Sequence, residues 1–245
     1  MEPIFAIDMH VRALPTARLG AMADIMRVTH LDQAILASLC RENDMYHVRQ
    51  RRAILVSRMA LTMPPPTFHD MVRATTRWPD LCRSLIGTSV ILTHARSRKL
   101  VALGLAHILR HASAEDTGLL SAVPDMIGLW TEVLGEVVED EAGSADRYER
   151  EMSPTRVLEI GEDGIPFLDE FGLIEPASTP SSTRTDAVRK RDPAFTVPLR
   201  AYVADTLNTV LQDGSHKTEL QSLLATIDPL VLDTLQRGLS ERPAA

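Results

Sequence analysis

The sequence predicts an all-α protein of stacked antiparallel helix pairs, a HEAT-like α-solenoid interrupted by one long irregular insertion. Three observations lead there. Apolar residues recur at spacings of three and four along most of residues 16–141 and again after Pro198, with no alternating strand pattern. Aromatic residues are only 4% of the chain while Leu and Ala are abundant, a composition suited to closely packed helices. Breaks between the periodic segments are short, which favours antiparallel neighbours. No strict repeat period is visible by eye, and stacked pairs follow from the number of helices.

In chain order, Leu19, Met22, Ile25 and Met26 mark a first helical stretch, and Ile35, Leu36 and Leu39 a second. His30-Leu31-Asp32 separates them, with Asp32 as the expected N-cap. A third helix runs from about Met45 to Leu61 and stops at Met63-Pro64-Pro65-Pro66, because proline offers no amide proton and its ring clashes with the preceding turn. Thr67 is the expected cap of a helix beginning at Phe68, and Trp78-Pro79-Asp80 opens another. Ser97 is expected to cap Arg98 to His111. A further helix spans Ser113 to about Glu141, bent at Pro124.

The stretch 142–197 is rich in Gly and Pro and reads as the insertion, with Pro176 to Arg191 expected to be disordered. Val157–Ile160 and Phe167–Phe171 are its apolar pieces. Helical spacing returns at Pro198 and ends at Asp213-Gly214. A short helix over Leu220–Ile227 follows, then Asp228-Pro229 as cap and first-turn proline of Leu230–Leu239. The expected organisation is helical repeats over 1–141, the insertion over 142–197, and closing helices over 198–239.

Cys40 and Cys82 lack Cys-x-x-Cys spacing and read as small core side chains in a reducing compartment. The N-terminus has no basic segment followed by an apolar run, and the longest apolar stretch, Leu100–Leu109, is too short to span a bilayer. A soluble intracellular protein is expected. Charge is uneven: residues 1–114 hold 15 Lys/Arg and 8 Asp/Glu, residues 115–175 hold 3 and 17, and the remainder 8 and 8. An acidic middle argues against direct nucleic-acid binding there and favours a basic partner, or a solvated loop without one.

Catalytic signatures are absent. There is no phosphate loop, nucleophile elbow or dinucleotide fingerprint, and Gly161-Glu162-Asp163-Gly164 is only a turn signal. His107 and His111 could share a helix face, but His-Ile-Leu-Arg-His lacks the Glu of a zinc protease and further ligands nearby, so neither metal nor cofactor is expected. Arg49, Arg51 and Arg52 form one basic patch, and Arg96, Arg98 and Lys99 another; each could touch phosphate or acidic peptide, with a solvated helix surface the plainer reading. Arg189-Lys190-Arg191 is a weak nuclear-targeting pattern, and Thr179-Pro180 a non-specific phosphorylation pattern.

Ser97-Arg98-Lys99-Leu100-Val101-Ala102-Leu103-Gly104-Leu105, followed by a helix ending in acid and then a long insertion, resembles the late HEAT repeats of the importin-β (karyopherin-β) family. Asp192-Pro193-Ala194-Phe195-Thr196-Val197-Pro198-Leu199-Arg200-Ala201-Tyr202-Val203 is similar to a pattern near the C-terminal end of the histone-importing branch, and Val231–Gln236 resembles that branch's closing helix. The resemblance covers about Leu92–Leu239. It implies a nuclear import receptor's C-terminal part, shared between cytoplasm and nucleus, with no membrane insertion. Implied partners are a basic cargo (histone or ribosomal protein) and the GTPase Ran. Family members are several times longer and usually hold Ran on N-terminal repeats, and here the acid lies before Glu175 rather than throughout the insertion. Candidate cargo contacts are Glu136, Glu139, Asp140, Glu141, Glu149, Glu151, Glu162 and Asp163. The alternatives are a helical interaction scaffold with no transport role, and an all-α enzyme.

Overall fold

Proline placement organises the array. In the computed structural model, which describes residues 29–40, 46–136, 192–212 and 216–240, five of the described helices carry proline in their first two residues, and three of these close a repeat. These are α4 (Trp78–Ser89), α6 (Val123–Glu136) and α10 (Pro229–Ser240). Proline suits that position because the first-turn amides have no intrahelical partner and its φ is already helical. Each follows, about 30 residues on, a longer helix that opens the repeat: α2 (Tyr46–Thr62), α5 (Ala95–Arg110) and α8 (Leu199–Gln212). Between the two members lies a short element: α3 (Pro65–Thr75), a 3-10 turn over Leu120–Ala122, and α9 (Lys217–Leu224). The small helices α1 (Leu31–Leu39) and α7 (Pro193–Thr196) complete the set; among the described residues there is no strand.

The packing is two-layered. α5 lies between α2 and α8 in one layer, and α6 lies between α4 and α10 in the other. α5 also packs on α6 and α8 on α10, so each repeat is a helix pair and successive pairs stack into the predicted α-solenoid. Tyr46 to Ala95, the step from the opening helix of one repeat to that of the next, is 49 residues.

The core runs through the middle of α5. Leu100, Val101, Ala102, Leu103, Leu105, Ala106, Ile108 and Leu109 are all buried, and α5 packs against both α2, which buries Leu55, Val56 and Met59, and α8, which buries Leu199 and Val203. Gly104 allows the closest approach. A Cβ there would sit 3.0 Å from both Cα and Cβ of Ser57 on α2. Trp130 of α6 is fully buried and donates its indole N–H to the Ala102 carbonyl at 3.1 Å.

Several helix starts differ from the expectation. α1 is preceded by His30, left-handed at φ 54°, with no side-chain cap, so Asp32 lies inside the helix. α3 begins at Pro65 rather than Phe68, since Pro65 and Pro66 fit a first turn and the Phe68 amide bonds back to Pro64. α5 begins at Ala95 after His94. Ser97 is one residue too deep to cap, its amide already donating to the His94 carbonyl and its side chain fully buried. Pro124 starts α6 instead of bending a longer helix, and a 3-10 turn precedes it. Asp228 caps as expected, accepting from Leu230 N at 2.8 Å. The one-turn helix α7 lies within the stretch read as irregular; the rest of that stretch, and the helical stretch marked by Leu19–Met26, lie outside the described residues.

Candidate binding surface

Five arginines gather at one edge of the array. α2 and α5 together carry eight Lys/Arg and no Asp/Glu. Three of these are committed elsewhere: Arg58 and Lys99 are buried, and Arg110 meets Asp205 of α8 at 2.5 Å. The other five, Arg49, Arg51, Arg52, Arg96 and Arg98, lie in the opening turns of the two helices. These turns lie at the same end of the layer. The Gln50 side chain donates to the carbonyl of Ile91, four residues before α5 starts, and Gly104 of α5 abuts Ser57 further along. The positive ends of both helix dipoles add to the field there.

Both ends of the segment 137–191 meet this edge. On the departing side, Glu132 in the last turn of α6 binds Arg98 at 2.7 Å and Glu136 pairs with the same guanidinium. On the returning side, the Arg96 guanidinium lies 4.8 Å over the Phe195 ring. Just before it, Asp192 is buried: one carboxylate oxygen accepts from Arg58 at 3.0 Å and the other from the Ala194 amide at 3.0 Å, capping α7. The chain after the acidic stretch is thus pinned at the seam between α2 and α5 by a buried ion pair.

Of the eight candidate cargo contacts, Glu136 is exposed at the end of α6 and paired with Arg98. Glu139, Asp140, Glu141, Glu149, Glu151, Glu162 and Asp163 lie outside the described residues, as do Val157–Ile160, Phe167–Phe171, Thr179-Pro180 and Arg189-Lys190-Arg191. Of the two basic patches, Arg52 donates to the Ser38 carbonyl of α1 at 3.1 Å and Arg98 is the anchor for α6.

His107 and His111 do share a face, with ring centroids 4.5 Å apart. His107 is hydrogen-bonded through Nδ1 to the Tyr202 hydroxyl at 2.5 Å, tying α5 to α8. Burial, then His111, His69 and Arg110, push its pKa down to about 4, so the ring is neutral at neutral pH. Among the described residues no group of three or more His, Cys, Asp or Glu could hold a metal ion. Cys82 is buried, which raises its thiol pKa to about 12, while Cys40 is half-buried.

Sequence reading missed a second polar centre, around Asp116. This buried carboxylate accepts from the Trp78 indole at 2.9 Å, the Ser113 amide at 2.8 Å and the Ser113 hydroxyl at 3.0 Å, and shares a 2.8 Å contact with His69 Nδ1. Burial alone would raise its pKa, but the Ser113 amide and His69 more than offset that and hold it below the usual range. An open cleft of about 540 Å³ lies above, lined by Pro65, Pro66, Arg73, His111 and Glu115 among others. Ser, His and Asp meet here without forming a catalytic triad. Ser113 and His69 contact the same carboxylate oxygen, so no base is set against the Ser113 hydroxyl. The network instead ties α3 and α4 to the loop before α6. Its one sequence signal is His69, a polar residue amid the apolar Phe68, Met71 and Val72.

Comparison with known proteins settles the family. The profile described as "Importin-11-like, TPR repeats" matches residues 4–240. The chain belongs to the importin-11-like family. It is also 25% identical over 221 residues to the importin beta-like protein kap113 of Schizosaccharomyces pombe, an alignment covering 80% of this chain and 21% of that protein. The chain thus spans about a fifth of the length of that relative. No solved structure matches. In this importin-11-like chain the 49-residue step is nearer to HEAT-type repeats of about 40–47 residues than to tetratricopeptide repeats of about 34. Among the described residues no helix is long and apolar enough to cross a membrane.

Proposed function

We propose that this chain is the cargo-holding portion of a nuclear import receptor and binds a basic protein, a histone or ribosomal protein, through the acidic residues between its second and third repeats. What supports this reading is the acidic run that the sequence holds between α6 and α7, within a chain of the importin-11-like family. The helices of 1–141 and 198–239 act as scaffold, and 142–197 with the end of α6 supplies Glu136, Glu139, Asp140, Glu141, Glu149, Glu151, Glu162 and Asp163. Such attraction acts at long range and is salt-sensitive. In this reading the protein moves between cytoplasm and nucleus as a carrier without catalytic chemistry, and Ran binding belongs to it as a family trait.

A titration against a core histone dimer from low salt to about 0.15 M, where the screening length is near 8 Å, tests the reading. Binding that persists at the higher salt and weakens on reversing Glu139, Asp140 and Glu141 to Lys supports it. Binding lost well below 0.15 M, or unchanged by the reversal, removes the acidic patch and leaves a scaffold that grips its partner through apolar surface.

A further inference from the structure

We infer that the open cleft above Asp116 is a docking site for a lysine-bearing segment of a partner protein, with the lysine ammonium held by Nε2 of His69. The cleft, about 540 Å³, is lined by Pro65, Pro66 and His69 of α3 and by Ser113, Ala114 and Glu115 after α5. That volume lies within the range of roughly 300–1,000 Å³ usual for ligand sites and exceeds what one side chain fills. A short stretch of peptide is therefore the fitting occupant.

His69 points to the chemistry of that occupant. The residue is 4% exposed, yet only one ring nitrogen is used: Nδ1 is bonded to Asp116, and among the described residues Nε2 meets no hydrogen-bond partner. Nε2 is not shut off from solvent either, so it opens on the cleft that the ring lines. Burial would raise the pKa of Asp116, but the Ser113 amide and His69 more than offset it, and the group is a carboxylate that only accepts. The shared proton therefore sits on Nδ1, and the neutral ring presents a lone pair at Nε2. The Asp116 bond and the Trp78 ring, 4.9 Å away between centroids, fix the direction of that lone pair. An acceptor so deep and so firmly held calls for a donor.

The surrounding charge selects a cation. Three carboxylates, Asp70, Glu115 and Asp116, stand against the one guanidinium of Arg73, a net of −2. Arg110 is balanced by Asp205, and His111, its pKa lowered by burial and then by Arg110 and His69, is neutral at neutral pH. None of these pairs has to open, because the carboxylates act through their field and the accepting atom is Nε2. Lysine suits the site better than arginine. A compact ammonium matches one acceptor, whereas a guanidinium fork pairs best with a carboxylate edge, and Asp70 and Glu115 are already bound to Arg73. Pro65, Pro66 and Ala114 supply an apolar wall for the lysine methylenes. The inference uses no residue of 137–191 and is independent of the cargo reading.

Titration of the intact chain with a short Gly/Ser peptide carrying one central lysine, at low salt, tests the site. The ring-nitrogen NMR signal of His69 Nε2 should shift saturably, with Nδ1 little changed. Affinity is read from fluorescence anisotropy of the same peptide. Acetylating its lysine should weaken binding about tenfold or more, since a hydrogen bond from a charged group is lost. His69→Asn keeps an N–H donor for Asp116 but removes Nε2, and should weaken binding by a similar factor. If His69→Asn lowers the helical circular dichroism signal, Glu115→Gln takes its place. That carboxyl is exposed, and losing its charge should weaken binding about two- to threefold. Equal binding of the acetylated peptide would overturn the proposal, since the cleft would then take apolar chain alone. So would the absence of a His69 shift up to about 10 mM peptide, or an affinity unchanged in whichever variant stays folded.

Discussion

At the scale of single residues, the buried charges carry most of the information. Arg58 and Asp192 are 1% and 2% exposed at the side chain, and their separation of 134 positions in sequence makes their contact a long-range clasp. Removing one member leaves the other buried without its counter-ion, at a cost of roughly 3–5 kcal/mol. Asp192→Ala also removes the cap of α7. Urea denaturation should therefore show Arg58→Leu and Asp192→Ala losing several kcal/mol each, with the double variant far less than additive. Additive losses would mean the two side chains act separately. His107 and Asp116 set the response to acid. The folded pKa of His107, near 4, lies below the unfolded value of about 6.5, so between these values the unfolded chain takes up a proton that the folded chain does not. Stability contributed by the neutral ring is whole above about pH 6.5 and falls as pH drops towards 4. Asp116, with its pKa lowered, acts further down: its contribution is present above the unfolded value of about 3.9 and is lost as pH falls through the folded one. Melting temperatures from pH 7 to 4 should decline in the wild type more steeply than in His107→Gln; identical slopes would show that His107 titrates normally.

At the scale of elements, two helical glycines should respond in opposite directions. Gly104 lies where α2 and α5 come closest, and an added methyl must push against Ser57 backbone. Gly104→Ala should destabilise by about 1–3 kcal/mol, the usual range for overpacking. Gly128 of α6 has nothing within 4 Å of an added Cβ, and Gly128→Ala should stabilise by roughly 0.5–1 kcal/mol through helix propensity. Chemical denaturation of the pair checks both signs, and two changes of the same sign would refute the close α2–α5 packing. Helix identity was legible in the sequence because apolar spacing and prolines are local signals: α2 and α4, α6 from Met126 onward, α8 and α10 fall where the stripes place them. Helix starts were less legible. Capping residues such as Asp32, Thr67 and Ser97 are common, and which one caps depends on where the preceding turn directs the chain. The clasp of Arg58 on Asp192 and the Asp116 network were not legible at all, because their members come from elements far apart in sequence. Arg58 is a charge inside the stripe Ile54–Met59, a signal that the sequence reading left unused.

At the scale of the whole molecule, we propose that the acidic insertion read over 142–197 interrupts an array rather than building it. α5 and α8 sit side by side as α2 and α5 do, although 88 residues separate the end of α5 from the start of α8 and only 32 separate α2 from α5. The stacking interface thus specifies the neighbour, and the connection only has to permit it. Closing a loop costs about 0.6 kcal/mol more for each doubling of its length. Replacing 140–190 by a Gly/Ser linker of about 12 residues, with Asp192 and its clasp kept, should then leave the melting temperature unchanged or raise it by a few degrees. The unfolding transition should stay cooperative. The same variant should lose histone binding, because the acidic residues leave with the segment. A chain that melts much lower, or in two steps, would show instead that the segment packs into the array, and the division into scaffold and cargo-binding insertion would have to be redrawn.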